Sequence, residues 1–124
     1  MNFKYDTSSM KKIKQYIVNT FTDKLFSGNP AAICLIEKWL PDELMMKIAM
    51  ENKLSETAFV VRENEQYKLR WFTPKMEIDL CGHATLAATY VITSFVEPNK
   101  TTISFHTRSG VLKATRKDNL YYID

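Results

Sequence analysis

An acid, a thiol and an imidazole stand at alternate positions in the stretch IDLCGHATLAATYVITSFV, residues 78 to 96: Asp79, Cys81 and His83. Immediately after them the chain runs without a charge from Ala84 to Val96. If that run is a helix, its first backbone N–H groups lack partners within the helix and carry partial positive charge. Gly82 at that point would let a ligand approach the backbone closely, so a carboxylate or phosphate could be held without lysine or arginine. The plainer alternative is a capped helix end beneath a loop, with His83 as a satisfied polar residue.

Glu56, in ENKLSETAFVV, is the second chemical candidate. If its strand alternates, Glu56 shares a face with Ala58 and Val60. An apolar face disfavours the charged carboxylate and moves its pKa toward values useful for acid–base work. A strand-start glutamate reaching water or a backbone N–H is the competing reading. Cys81 and His83 could also act as a nucleophilic pair, although side chains at i and i+2 need not meet. Cys34, Cys81, His83 and His106 supply the donors of a structural zinc site but lack its paired spacing, so no metal is expected. No glycine-rich phosphate loop or dinucleotide fingerprint occurs.

KQYIVNTFT, residues 14 to 22, is rich in β-branched and aromatic residues and predicts a strand. Gly28, Asn29 and Pro30 mark a turn, and AAICLIE, residues 31 to 37, reads as a short buried strand. In WLPDELMMKIAMENK, residues 39 to 53, the period changes. Pro41 suits a first helical position, Asp42 and Glu43 complement the helix start, and Leu44, Met45, Ile48 and Ala49 line one face. SETAFVVR and YKLRWFT predict two strands joined by the polar turn ENEQ, and TTISFHT, VLKATR and LYYID predict an antiparallel meander. About seven strands and two helices result. The uncharged helix has small or apolar side chains on every face and must be enclosed by protein. Strands curled around it would meet that demand, and its alanines and threonines would let them come close.

Composition sets limits on function. A chain of 124 residues, 45% hydrophobic with three glycines, is one ordinary domain and not a low-complexity chain. Its net charge of +3 resides in residues 1 to 14, where Lys4, Lys11, Lys12 and Lys14 face only Asp6; the remainder is neutral. No basic stripe is left for nucleic acid. Residues 1–13 read as a polar arm ahead of a body spanning 14–124. Two cysteines make no disulfide framework, no apolar leader precedes the first strand, and residues 80 to 96 are too few to span a bilayer. A reducing, cytoplasmic setting is expected.

VNTFTDKLFSGNPAAICLIEKWL, ENKLSETAFVV and LRWFTPKMEIDLCGHATLAATYVI together resemble the phenazine-biosynthesis-like (PhzF) isomerase family, over most of residues 15 to 124. GNPAA, LSETAFV and CGHATLA occur in that family's order. The resemblance implies an α+β, diaminopimelate-epimerase-like half: a mostly antiparallel β-sheet rolled around a central apolar helix. Such a protein has two similar halves with the active site in the cleft between them. It moves a proton on a small carboxylated substrate, without metal or organic cofactor. On this resemblance Glu56 is the acid–base residue. Gly82, His83 and the N–H of Ala84 hold the substrate, and Asn29 and Cys81 line the cleft. Asp79 is expected to cap the helix or orient the loop. Cys81 also resembles one thiol of the two-cysteine racemases, which leaves a Cys81-dependent racemase as an alternative. The sequence stops at Asp124, after what corresponds to the first half. The expectation is a homodimer or a missing C-terminal half, with a non-catalytic, partner-binding half-domain as the competing class.

Overall fold

The computed structural model describes residues 2–3, 13–19 and 30–124. Gly28 and Asn29 of the expected turn lie outside the described residues, as does most of 1–13. Asn2–Phe3 forms a short strand, β1, paired with β2 (Lys14–Val18), and Ile13 is buried. The remaining elements are β3 (Ala31–Ile36), α1 (Asp42–Asn52), β4 (Glu56–Glu63), β5 (Gln66–Phe72), β6 (Glu77–Ile78) and α2 (Gly82–Val91). A π-helical turn at Ile92–Val96 follows, then β7 (Thr102–Thr107), β8 (Gly110–Lys117) and β9 (Leu120–Ile123). The two strands not anticipated, β1 and β6, are two residues each, too short to carry an alternation.

The nine strands among the described residues form one sheet in the order β1-β2-β3-β4-β5-β7-β8-β9, with β6 paired to β5. The pairing is mostly antiparallel, as expected. β3 with β4 and β5 with β7 are parallel. Each parallel pair is joined through a helix, because parallel neighbours need a long crossover. The tight connections are antiparallel. Between β4 and β5, Asn64 and Glu65 both take positive φ, the backbone of a two-residue hairpin turn.

Side-chain alternation divides the sheet into two faces. Ile33, Ala58, Val60, Leu69 and Trp71 pack against Ala84, Ala87, Ala88 and Val91 of α2. Cys34, Phe59 and Phe72 point the other way, onto Met45, Ile48 and Ala49 of α1. The helix α1 starts one residue later than expected: Pro41 is its N-cap, and the Pro41 carbonyl accepts from the N–H groups of Leu44 and Met45. Its left-handed C-cap, Lys53 at φ 56°, turns the chain into β4.

The central helix departs from expectation in two ways. It contacts β3, β4, β8 and β9, so the sheet curls around it, but a stripe stays open. Tyr90 and Phe95 are exposed there, with Phe95 stacked on Tyr16 at 5.0 Å between centroids and Tyr90 edge-on to Tyr121. The α-helical pitch also ends at Val91. The Glu97 N–H then reaches back five residues to the Ile92 carbonyl at 2.7 Å, widening the last turn. No helix among the described residues is long and apolar enough to cross a membrane.

The buried threonine hydroxyls of this helical segment are satisfied within it. Thr85, Thr89 and Thr93 donate to the carbonyls of Cys81, Thr85 and Thr89 at 2.7, 2.8 and 2.8 Å. The alanines contribute little area of their own, but they bring the sheet close enough for Trp71, Leu69 and Ile33 to be buried, each worth about 1.5–3 kcal/mol. A larger side chain has no room. Ala88→Leu should destabilise the fold by about 1–3 kcal/mol through overpacking, read as a lower urea midpoint with an unchanged slope.

Candidate active site

Glu56 is the first residue of β4, and the parallel register places it beside Ala31 of β3. Alternation turns its side chain to the α2 face, where it is 7% exposed. Cys81 arrives from the other direction as the N-cap of α2, in extended backbone conformation. The Cys81 carbonyl accepts from both the N–H and the hydroxyl of Thr85. Thr85 Oγ1 in turn accepts from Trp71 Nε1 at 3.0 Å. A strand tryptophan, a helix threonine and the cap residue are thus tied into one chain of bonds, which fixes where α2 begins.

The segment between β5 and α2 is clamped by charge. Arg70 makes two 2.7 Å bonds to the Glu77 carboxylate and reaches Asp42 of α1 at 3.1 Å. Arg108 adds a 2.9 Å contact to Glu77. The hydrogen bonds from Arg70, ahead of those from Arg108, hold the Glu77 carboxyl below the usual glutamate range despite its partial burial. Asp79 does not cap the helix; Cys81 occupies that position. The Asp79 carbonyl accepts from Ser109 Oγ at 2.6 Å and its carboxylate faces Arg108, so its role is to seat the loop.

Three groups converge at the amino end of α2. His83 Nε2 lies 2.5 Å from Glu56 Oε1, and Cys81 Sγ donates to the same oxygen at 3.4 Å. The sulfur is 3.8 Å from His83 Nδ1. Burial pushes the Cys81 thiol up to about 11. The N–H of Ala84 works against that rise, while the charge and hydrogen bond of Glu56 add to it. The sulfur is therefore a protonated donor at neutral pH, which does not suit a resting nucleophile.

The predicted residues fall into place unequally. Glu56, Cys81 and His83 meet within one cluster. Gly82 is exposed, and a Cβ there would meet Ile123 Cδ1 at an ordinary 3.9 Å, so packing among the described residues does not require glycine. Ala84 buries its side chain in the core, and only its N–H belongs to the helix tip. Asn29 lies outside the described residues. Of the cysteines and histidines weighed together, Cys34 sits on the α1 face, its thiol donating to Gln15 Oε1 at 3.2 Å. Sequence reasoning missed the supports: Trp71, Thr85 and the Arg70–Glu77–Arg108 clamp. The threonines spaced by four in an uncharged helix were the available signal for one of them.

The fold that carries this cluster, a sheet curled around a helix, occurs in known proteins. The sequence profile of phenazine biosynthesis-like proteins (PhzC-PhzF) matches residues 18–121, most of the chain. The chain belongs to the phenazine biosynthesis-like family. It is 49% identical over 107 residues to an uncharacterized isomerase of Pseudomonas aeruginosa, covering 86% of this chain and 41% of that one. It is 40% identical over 121 residues to the human phenazine biosynthesis-like domain-containing protein, covering 91% and 42%. A crystal structure of a phenazine biosynthesis PhzC/PhzF protein from Clostridium difficile matches with TM-score 0.83 and 59% identity, over 88% of this chain and 42% of that one. An Enterococcus faecalis PhzF-family structure matches with the same TM-score at 51% identity, again over 88% and 42%. The chain thus spans about two-fifths of the length of these PhzF-family relatives.

The raised thiol pKa gives a direct check. Alkylation of Cys81 by iodoacetamide at pH 8 should run roughly ten- to a hundredfold slower than that of an ordinary thiol, since only thiolate reacts. Glu56→Gln removes a negative neighbour that raises the pKa, so it should speed alkylation, with site-resolved mass spectrometry as the readout. Burial remains the larger cause, so the rate should stay below that of an unhindered peptide thiol.

Proposed function

We propose that this chain supplies one wall of a cofactor-independent isomerase or epimerase that shuttles a proton on a small carboxylated substrate. The observation that carries the reading is the convergence of Glu56, His83 and Cys81 on the amino end of the enclosed helix. The substrate carboxylate rests against the tip, near the N–H groups of Gly82, His83 and Ala84, with Cys81 lining the cleft. Positive potential there favours the enolate-like charge that develops when the adjacent C–H loses its proton. Glu56 removes and returns that proton. Both described contacts to its carboxylate fall on Oε1, so in this reading Oε2 is the oxygen that meets the substrate C–H. His83 fixes the carboxylate, and the neutral Cys81 thiol donates to it. The resemblance to proteins named isomerases supports the reaction class.

The chain spans about two-fifths of the length of its relatives, and in this reading the described residues form one wall of the cleft. A C-terminal half or a second copy would supply the opposite wall and exclude water from Glu56. The free cysteines fit a reducing, cytoplasmic setting. In the complete enzyme, Glu56→Gln should reduce proton exchange from deuterated water into the carbon next to the substrate carboxylate by at least about a hundredfold. Exchange is read by proton NMR across a panel of small carboxylic acids, with an unchanged thermal midpoint as the folding control. Undiminished exchange in that variant would refute Glu56 as the acid–base residue. Loss of activity on Cys81 alkylation with normal exchange in Glu56→Gln would instead support the cysteine racemase.

A second reading rests on the open apolar stripe. Tyr90 and Phe95 are exposed at the gap beside α2, which Tyr16, Ile17 and Val18 of β2 also line, a surface suited to association whether or not chemistry survives. A symmetric pair of chains would cover it and rebuild a two-walled cleft. Sedimentation should then give twice the 14.4 kDa chain mass, and Phe95→Glu should return the protein to monomer.

A further inference from the structure

The same three side chains have a second chemical capacity. Glu56, Cys81 and His83 each offer one donor atom, and these oxygen, sulfur and nitrogen donors lie within 4.8 Å of one another. A tetrahedral zinc ion holds sulfur at about 2.3 Å and nitrogen or oxygen at about 2.0 Å, which places its donors about 3.3–3.5 Å apart. Cys81 Sγ already stands 3.4 Å from Glu56 Oε1 and 3.8 Å from His83 Nδ1. Only the 2.5 Å contact between Glu56 Oε1 and His83 Nε2 has to open or yield to Nδ1 ligation.

We propose that Glu56, Cys81 and His83 form a three-ligand binding site for a thiophilic divalent cation, with zinc the best fit. The donor set decides the metal: one thiolate, one imidazole and one carboxylate suit zinc or cobalt, whereas magnesium and calcium prefer oxygen alone. Three protein ligands leave the fourth position to water or an anion. On binding, the Cys81 thiol gives its proton to solvent and the sulfur bonds the ion as thiolate, with no change of oxidation state. The site is supported from behind, because Cys81 and His83 sit on the helix end fixed by Thr85 and Trp71, and Glu56 on a central strand. Two of the ligands are buried and His83 is partly exposed, which gives the ion a path in.

If the proton shuttle proposed above is correct, zinc and substrate compete for Glu56, and the ion acts as an inhibitor. The binding itself does not rest on that reading and is tested without substrate. The reduced 124-residue chain is titrated with Co²⁺ while the near-ultraviolet thiolate-to-cobalt charge-transfer band is followed. One equivalent should develop the band, and one equivalent of Zn²⁺ should bleach it. Cys81→Ser should abolish the band, Cys34→Ser should leave it, and His83→Gln and Glu56→Gln should each weaken binding by at least about tenfold. Circular dichroism of each variant establishes that it is folded, and two ligands beyond the cysteine keep the test decisive if one variant is not. No band in the folded wild type, a band surviving in Cys81→Ser, or one lost in Cys34→Ser would overturn the site. A zinc-silent chain with a working Glu56 refutes this inference alone, while a cobalt band weakened by Glu56→Gln in a protein whose proton exchange that substitution leaves unchanged refutes the catalytic reading alone.

Discussion

The close approach of a small-residue helix to a curled sheet is the constraint on which the molecule depends. Ala84, Ala87 and Ala88 are fully buried, and their small size lets strands from β3 to β9 come near one helix axis. A helix so enclosed cannot leave hydroxyls unpaired, because a buried polar group without a partner costs about 1–3 kcal/mol. The threonine series answers that demand by bonding back along the helix. The result is a helix pinned at its amino end, where Glu56, Cys81 and His83 meet.

At that end, polar groups are concentrated where the backbone is least satisfied. The tip contributes partial positive charge, and Glu56 lies buried against it with its Oε1 in contact with His83 Nε2. Cys81 serves the fold and the site together. Its carbonyl starts the helix, while its thiol, too poorly solvated to ionise near neutrality, donates to the acid. The clamp of Arg70 and Arg108 on Glu77 stands outside this cluster and holds the incoming loop in place.

Much of this could be read from the residues. The uncharged run to Val96 called for an enclosed helix, and the alternation of Glu56, Ala58 and Val60 put the acid on the helix side of the sheet. Family resemblance joined those two observations into a site. The open stripe was not legible, because Tyr90 and Phe95 are as apolar as the buried positions and exposure depends on where the sheet stops. The π turn was equally hidden, since Ile92–Val96 differs from a regular helix only in its bonding. The clamp escaped because Arg70 and Arg108 look like ordinary strand and turn cations until β5, β6 and the β7–β8 turn come together.

The side-by-side entry of β3 and β4 has an evolutionary corollary. Their register ties Ala31 to Glu56 and runs unbroken to Ile36 and Val61. Adding or deleting one residue near the start of β4 would rotate every later side chain to the opposite face, sending the acid toward the methionines of α1. Lineages carrying this fold should therefore tolerate length variation at hairpin tips such as Asn64–Glu65, yet keep the spacing between the Lys53 bend and Glu56 invariant.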